Sequence, residues 1–332
     1  MATQPPDTPH DALFRPLLSD PGDAAVLLRE QLPTEIAGLM SDDPPRLLDG
    51  HFVDAHLRNS TGDCLFSVTL RTGRPAFLYV LLEHKSTPDP RTPLQVLGYM
   101  VRIWERHVRE HPGDASRLPP ILPLVLYHGQ APWRVPTSLL DSLDLDDDLH
   151  PVVRDFRYTV RDLGRMAPES LSAAPHVRAV LMALRIGTGD DAPLDRLVEI
   201  VAALPDNTLL ERQVIRYILH VVARLTGADW HQVAVRAKPQ REDAMVSLAA
   251  QEWMAQGRQQ GLEQGLEQGL EQGRTEAMRE SVAEVLESRF GRLPQATRDR
   301  LSALALHDLR PLLARAATAP TPEAVFDESF RH

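Results

Sequence analysis

The chain has 332 residues, of which 43% are hydrophobic, and this is enough to bury a sizeable core and to form more than one domain. The single cysteine, Cys64, excludes an internal disulfide and a cysteine-rich zinc site, and it favours the reducing cytoplasm. The chain lacks the pattern of a signal peptide and any run of about 18 apolar residues, so we expect neither secretion nor a membrane span.

The net charge of −10 argues against a broad nucleic-acid-binding surface, because phosphate recognition requires positive charge. The acidic residues are unevenly distributed, and many of them lie at 141–149 and 261–272. A locally cationic surface can still form from six arginines that lie within or shortly after the segment 63–99: Arg71, Arg74, Arg91, Arg102, Arg106 and Arg109.

The N-terminal part of the chain predicts two helices and one strand. Residues 1–10 are polar and proline-rich, which predicts disorder, and Asp11 is suited to cap a helix that runs to Leu17. The apolar stripe of 22–31 predicts a second helix. The sequence HFVDAHLR at 51–58 is a candidate first strand, and its His and Asp residues would need a third ligand to form a metal site.

Two further strands are predicted on either side of the turn-like sequence RTGRP. Asp63 begins the first, and the apolar run FLYVLLEHK at 77–85 forms the second. Alternation along this strand places Glu83 and Lys85 on one face, and a hairpin brings Asp63 beside Glu83. Two carboxylates at the rim of a sheet form a hard-oxygen site suited to Mg²⁺, with Mn²⁺ as the alternative metal.

Lys85 and the helix that follows it add to this pattern. Only two of the 36 basic residues are Lys, and the pKa of a lysine shifts more readily than that of an arginine. Lys85 can therefore orient or deprotonate a water, or stabilise charge on a phosphate, although an ordinary strand-end ion pair with Glu83 is the alternative. A helix predicted for 92–111 places Gln95 and Tyr99 one turn apart on one face. The combination is typical of a metal-dependent nuclease.

The chain also resembles a known family, on the basis of HDALFRPLLS near its start, LPTEI, FVDAHLRNSTGDCLFSV, FLYVLLEHKSTPD, LGYMVRIWE, ILPLVLYHG, EQGLEQG and RFGRLP. It is similar to the recombination-promoting nuclease and transposase-like group of the PD-(D/E)XK nuclease superfamily. The resemblance covers most of the chain, and its central blocks are the most specific. It implies DNA as the substrate and a part in recombination.

The resemblance also implies roles for particular residues. Asp63 would bind the metal, Glu83 and Lys85 would form the acid-x-lysine pair, and Gln95 and Tyr99 would form the helix motif. Many members of the group carry Gln at the position of Lys85, which makes the lysine less essential than the superfamily pattern implies. A helical acid often completes such a site, and either Glu30 or Glu35 is suitable.

The remaining strands and helices set the predicted fold class. Apolar runs at 121–129 and 156–163 predict two more strands, so we expect an α/β protein with a restriction-endonuclease-like mixed sheet flanked by helices. An all-helical C-terminal region follows. The predicted organisation is a disordered N-terminus, a nuclease-like core, a helical extension, a long helix and short C-terminal helices, with boundaries at 1–10, 11–163, 164–240, 241–290 and 291–332.

The long helix contains the repeat QGLEQGLEQGLEQG, in which glycine recurs at every fourth position from Gly257 to Gly273. Five interior glycines cost a helix about 4 to 5 kcal/mol relative to alanine. They also allow a second helix to approach closely, so self-association through 257–273 is one interpretation. The alternative is a solvated connector built from a duplicated tetrapeptide.

Two hypotheses about function follow. The first is a cytoplasmic Mg²⁺-dependent DNA endonuclease in which Asp63 and Glu83 hold the metal. The second is a catalytically inactive interaction or oligomerisation module with a vestigial nuclease core. The negative net charge favours the second hypothesis, whereas the intact acid-x-lysine pattern favours the first.

Overall fold

The computed structural model describes residues 9–48, 63–83, 87–114, 117–149, 151–186 and 192–326. The chain divides into two compact units, one that extends to Glu252 and one that begins at Trp253. The first unit contains the sheet and most of the helices. Among the described helices, none combines the length and the apolar character that a bilayer span requires.

The five-stranded sheet has its strands in sequence order, which are β1 Arg46–Leu48, β2 Asp63–Thr69, β3 Pro75–Glu83, β4 Ile121–Tyr127 and β5 Thr159–Asp162. The β1–β2 and β2–β3 pairs are antiparallel, and the β3–β4 and β4–β5 pairs are parallel. The sheet is therefore mixed, as the sequence predicts. The carboxyl ends of the three parallel strands and the start of β2 lie at one end of the sheet, which carries Asp63 and Glu83 and which we call the acidic edge.

The β2–β3 connection is the tight hairpin expected from the sequence RTGRP. Gly73 has a φ of 77°, a value in the left-handed region that favours glycine. The Gly73 N–H donates to Leu70 O and the Leu70 N–H donates to Arg74 O, both at 2.8 Å. This turn sets the register that pairs Asp63 with Leu81.

A long helix, α4 (Thr92–Glu110), covers the face of the sheet that carries Asp63 and Glu83. Apolar residues of α4 such as Val96 and Ile103 pack into one buried cluster with Leu65, Tyr79 and other residues of that face. Helix α4 presents this apolar stripe to the sheet, and burial of the stripe fixes which of its side chains point toward the acidic edge.

The described residues form ten further α-helices. Three precede the hairpin: α1 Pro9–Ser19, α2 Pro21–Gln31 and α3 Thr34–Ala37. Four form a helical extension after β5: α5 Pro175–Ile186, α6 Leu194–Ala202, α7 Leu209–Val221 and α8 Gly227–Ala237. The last three are α9 Glu242–Phe290, α10 Gln295–Ser302 and α11 Leu306–Ala316.

The repeat lies within α9, which is one continuous helix. The side chains of Leu262, Leu266 and Leu270 are 74%, 64% and 54% exposed. A methyl group added at any glycine from Gly257 to Gly273 would meet no atom within 4 Å. In the second unit, the end of α9 packs with α10 and α11 around a small apolar core.

Three details of the sequence interpretation need correction or lie outside the described residues. Helix α1 is described from Pro9, so Asp11 lies inside the helix and not at the position that precedes it. The sequence reading did not include the short strand β1. The candidate strand at 51–58 and the disorder expected for the start of the chain fall largely outside the described residues, although Pro9 and His10 are helical.

Candidate active site

The candidate site is organised by the register between β2 and β3. Asp63 lies opposite Leu81, and opposed residues of an antiparallel pair share one face. Glu83 is two residues beyond Leu81 and therefore lies on the same face. Diagonal neighbours of this kind have Cα atoms about 7 to 8 Å apart, so the two acids lie near each other at the end of the sheet, as the sequence predicts.

Asp63 lies in a largely buried setting beside Tyr79. Both carboxylate oxygens of Asp63 are shielded from solvent. Burial raises the pKa of Tyr79 well above its usual value, and the negative charge of Asp63 and a hydrogen bond to its carboxylate raise it further. The Tyr79 phenol therefore remains protonated beside the carboxylate. Asp63 is thus held in an environment that strengthens its electrostatic interactions.

Glu83 ends β3 and is only 5% exposed. It lies next to Tyr127 in the parallel register, and Tyr127 in turn lies next to Asp162. These three side chains form a row across the carboxyl ends of β3, β4 and β5. The pKa of Tyr127 is raised, first by burial and then by the negative charges of Asp162 and Glu83.

Helix α4 brings Tyr99 to this face, as the Gln-x-x-x-Tyr spacing predicts. The ring of Tyr99 lies 5.1 Å from the ring of Tyr79, measured between centroids, and both residues are buried. Gln95 lies one turn before Tyr99 and is half-buried. Tyr99 therefore contacts the residue that borders Asp63, and this contact links α4 to the acidic edge.

Lys85 lies in the segment 84–86, outside the described residues, so its predicted role stays a prediction. The two candidate helical acids are described, and neither lies with Asp63 and Glu83. The Oε1 atom of Glu30 accepts a hydrogen bond of 3.0 Å from the Ala173 N–H. Glu35 is exposed on α3, which connects to the opposite end of β2 through the bridge between Met40 and Leu70.

The chemistry of this edge fits a hard divalent cation. Two carboxylates are the usual number of protein ligands for a catalytic Mg²⁺, which also binds waters and substrate phosphates. Within the described ranges, no group of three or more His, Cys, Asp or Glu side chains forms a ready metal cage. A cation held by Asp63 and Glu83 would therefore keep positions open for a substrate.

Sequence reasoning assigned no role to Tyr127 or Asp162. The Tyr127 hydroxyl donates a hydrogen bond of 2.7 Å to Ala131 O, and the Trp133 N–H donates one of 3.1 Å to Asp162 Oδ2. Asp162 Oδ1 is buried and lacks a hydrogen-bond partner among the described residues. Tyr127 ends β4 and Asp162 ends β5, and a position near the end of a predicted parallel strand is the signal that could have identified them.

Comparison with known proteins gives a family for this fold and site. The family model described as "Putative transposase, YhgA-like" matches residues 8–214, more than half of the chain. That span contains the sheet, α4 and both acids. No solved structure matches the chain.

Three proteins of Escherichia coli strain K12 are similar to this chain. Recombination-promoting nuclease RpnA is 27% identical over 256 residues, which cover 75% of this chain and 85% of RpnA. Recombination-promoting nuclease RpnC is 32% identical over 127 residues, which cover 38% of this chain and only 41% of RpnC. A third relative, named Inactive recombination-promoting nuclease-like protein RpnE, is 28% identical over 138 residues, 41% of this chain and 45% of RpnE.

Proposed function

Because the chain belongs to the family of YhgA-like transposase proteins, we propose that it is a Mg²⁺-dependent DNA endonuclease that hydrolyses phosphodiester bonds. The observation that carries this proposal is the convergence of Asp63 and Glu83 on one face at one edge of the sheet. The names of RpnA and RpnC, which describe recombination-promoting nucleases, support it.

The residues at the site have separate roles in this function. Asp63 and Glu83 hold the cation, which when bound supplies Lewis-acid stabilisation of the scissile phosphate and of the attacking water. The protonated Tyr79 borders Asp63, and Tyr99 packs on Tyr79, so both keep the carboxylate in place. Burial of Glu83 excludes bulk water and thereby strengthens its attraction for the cation.

The second candidate function is an inactive interaction module with a vestigial nuclease core. The relative RpnE, which is named inactive, and the net charge of −10 favour this alternative. Incubation of purified protein with supercoiled plasmid, with and without Mg²⁺, separates the two functions. Nicking that requires the metal supports the nuclease, and an intact plasmid at high protein concentration contradicts it. Mn²⁺ should replace Mg²⁺ in this assay.

A pair of Lys85 variants tests whether the lysine handles a proton. If Lys85 activates water, Lys85→Arg should lower the cleavage rate about 10²-fold or more while DNA affinity is retained, because arginine keeps the charge but cannot lose its proton. Lys85→Gln is the matched comparison. Full activity of the glutamine variant, measured on the same plasmid, would show that the side chain acts only as a hydrogen-bond donor.

The exposed repeat of α9 leads to a proposal about a partner. We infer that residues 257–273 associate with the same helix of a second copy. The exposed leucines have no covering side chains among the described residues, and the glycine positions leave space for close approach. The same ridge on both copies is self-complementary, because leucines of one copy fit over glycines of the other. Such a dimer would present two active sites to one duplex.

Replacing Gly261, Gly265 and Gly269 with alanine tests this association. Three alanines raise helix propensity by about 2 to 3 kcal/mol, and the space around each glycine shows that the monomer tolerates them. A glycine-mediated pair should nevertheless dissociate, because the new methyl groups fill the contact. Light scattering should therefore report a dimer for the unmodified protein and a monomer for the triple variant. A monomeric unmodified protein at micromolar concentration would rule out the pair.

A further inference from the structure

A groove of about 330 Å³ lies on the same face as the acids but toward the other end of the sheet. Its floor is apolar and includes Leu48, Phe77 and Ile103. Four charged or imidazole side chains line its rim, together with Glu110: Arg46, Arg106, His107 and His111. Glu110 is paired with Arg106, which reduces its effect on an incoming anion.

The rings around this groove form a short aromatic series. The ring of Phe77 meets that of His107 edge to face, with 5.9 Å between centroids. The His107 ring stacks on the His111 ring at 4.6 Å with 23° between the planes. His111 is exposed, so this stacked pair is accessible from solvent. Flat rings beside a cationic rim are the arrangement that proteins use to stack an unpaired base next to its phosphate.

The groove is connected to the acidic edge along α4. Arg102 lies one turn from both Tyr99 and Arg106, between the site and the groove, and its buried Nη1 makes no hydrogen bond within the described part of the chain. Along β2, Ser67 lies four residues beyond Asp63 and pairs with Arg46, and four strand steps correspond to about 13 Å. That distance equals about four steps of a base-stacked strand at about 3.4 Å each.

From these observations we propose that the groove binds an unpaired base of a single-stranded DNA segment, with Arg46 and Arg102 on its phosphates and His111 stacked on the base. The proposal rests on the proposed nuclease function and names the state of its substrate. Binding of a strand by a few local cations is also compatible with the net charge of −10, because it does not require a broad positive surface.

Binding of a fluorescent single-stranded oligonucleotide of about 12 nucleotides, measured by anisotropy in EDTA, tests the proposal without cleavage. Arg46→Ala should weaken binding and lower the slope of log affinity against log salt by about 0.7, the value for one phosphate contact. His111→Ala should weaken binding by about fivefold or more through lost stacking. Arg224→Ala, an exposed arginine change outside the groove, is the matched control and should bind normally.

An oligonucleotide with abasic sites isolates the base contact. The wild-type protein should bind it more weakly than the intact strand, whereas His111→Ala should bind the two alike. Thymidine monophosphate in excess should compete poorly if the groove serves a strand, and effective competition would identify a free nucleotide instead. Equal affinity of the wild-type protein for intact and abasic strands, or displacement by polyglutamate without any abasic effect, would overturn base recognition.

These measurements are independent of catalysis. If the protein fails to cut plasmid but the Arg46 and His111 variants bind DNA more weakly, the nuclease function is contradicted and the groove proposal is supported. A protein that cuts plasmid but whose Arg46 and His111 variants bind like Arg224→Ala would contradict the groove proposal alone. Thermal unfolding of each variant confirms that the fold is intact, which the exposed positions of Arg46, Arg224 and His111 favour.

Discussion

Replacing Glu83 with Gln, or Asp63 with Asn, should lower Mg²⁺-dependent cleavage of plasmid by about 10³-fold or more, because each change removes a charged ligand from a buried site. Both replacements preserve side-chain shape. Removal of one of two neighbouring negative charges also relieves their repulsion, so thermal stability without metal should hold or rise slightly. Asp63→Ala and Glu83→Ala should abolish cleavage as well, with a larger structural disturbance.

Glu35→Gln is the matched control for these variants. Glu35 is an acid of the same core that lies exposed on α3 at the opposite end of β2, so its replacement should leave cleavage unchanged. Glu30→Gln separates structure from chemistry, since Glu30 binds the Ala173 N–H and its loss should affect stability before activity. Undiminished cleavage by either the Asp63 or the Glu83 variant would contradict the two-carboxylate site.

The parts of the fold and site that follow from local patterns could be predicted from the sequence. The apolar run of β3 forms a central strand that is buried on both faces, and RTGRP forms the turn between β2 and β3. The position of Asp63 beside Glu83 therefore follows from residues within one hairpin. The spacing of Gln95 and Tyr99 similarly requires only a helix. These inferences succeed because the contacts are close in sequence.

The rest depends on contacts between distant segments. Asp162 reaches the edge because β5 pairs in parallel with β4 at a particular register, and nothing local to either strand specifies that register. The hydrogen bond between Glu30 and the Ala173 N–H joins residues 143 positions apart, so the sequence of α2 alone could not predict it. The apolar stripe of α4 can be predicted from the sequence. The groove at the C-terminal end of α4 also requires β1, a strand of three residues that is too short for a clear pattern.

The helical extension contains a buried ionic network that no sequence pattern predicted. Lys238 Nζ donates to Glu211 Oε1 at 2.6 Å, and also to Asp206 and to Leu204 O. The side chains of Lys238 and Glu211 are only 8% and 3% exposed. Arg241 donates to the same Glu211 oxygen. Glu211 is therefore the centre on which two cations converge.

Replacing Glu211 with Ala should destabilise the first unit by about 3 kcal/mol. Breaking a buried ion pair typically costs about 3 to 5 kcal/mol because one charge is left uncompensated, and the lower value applies because Asp206 still pairs with Lys238. Chemical denaturation followed by tryptophan fluorescence can measure the change, since Trp230 is fully buried in α8 of the same region. Asp195→Ala, which breaks the exposed pair with Arg236, should cost less than about 1 kcal/mol.

The same network predicts how stability depends on pH. Burial alone would raise the pKa of Glu211, but hydrogen bonds from Arg241, Lys238 and the Asn207 N–H outweigh it and hold the pKa below its ordinary value of 4.5. A carboxyl group with a lowered folded pKa stabilises the fold above its unfolded pKa, and this contribution is lost as the pH falls through the folded value. The stability difference between the wild-type protein and Glu211→Gln should therefore be largest near neutral pH and should shrink below about pH 4.5. A difference that stays constant down to acidic pH would show that Glu211 contributes through packing and not through its charge.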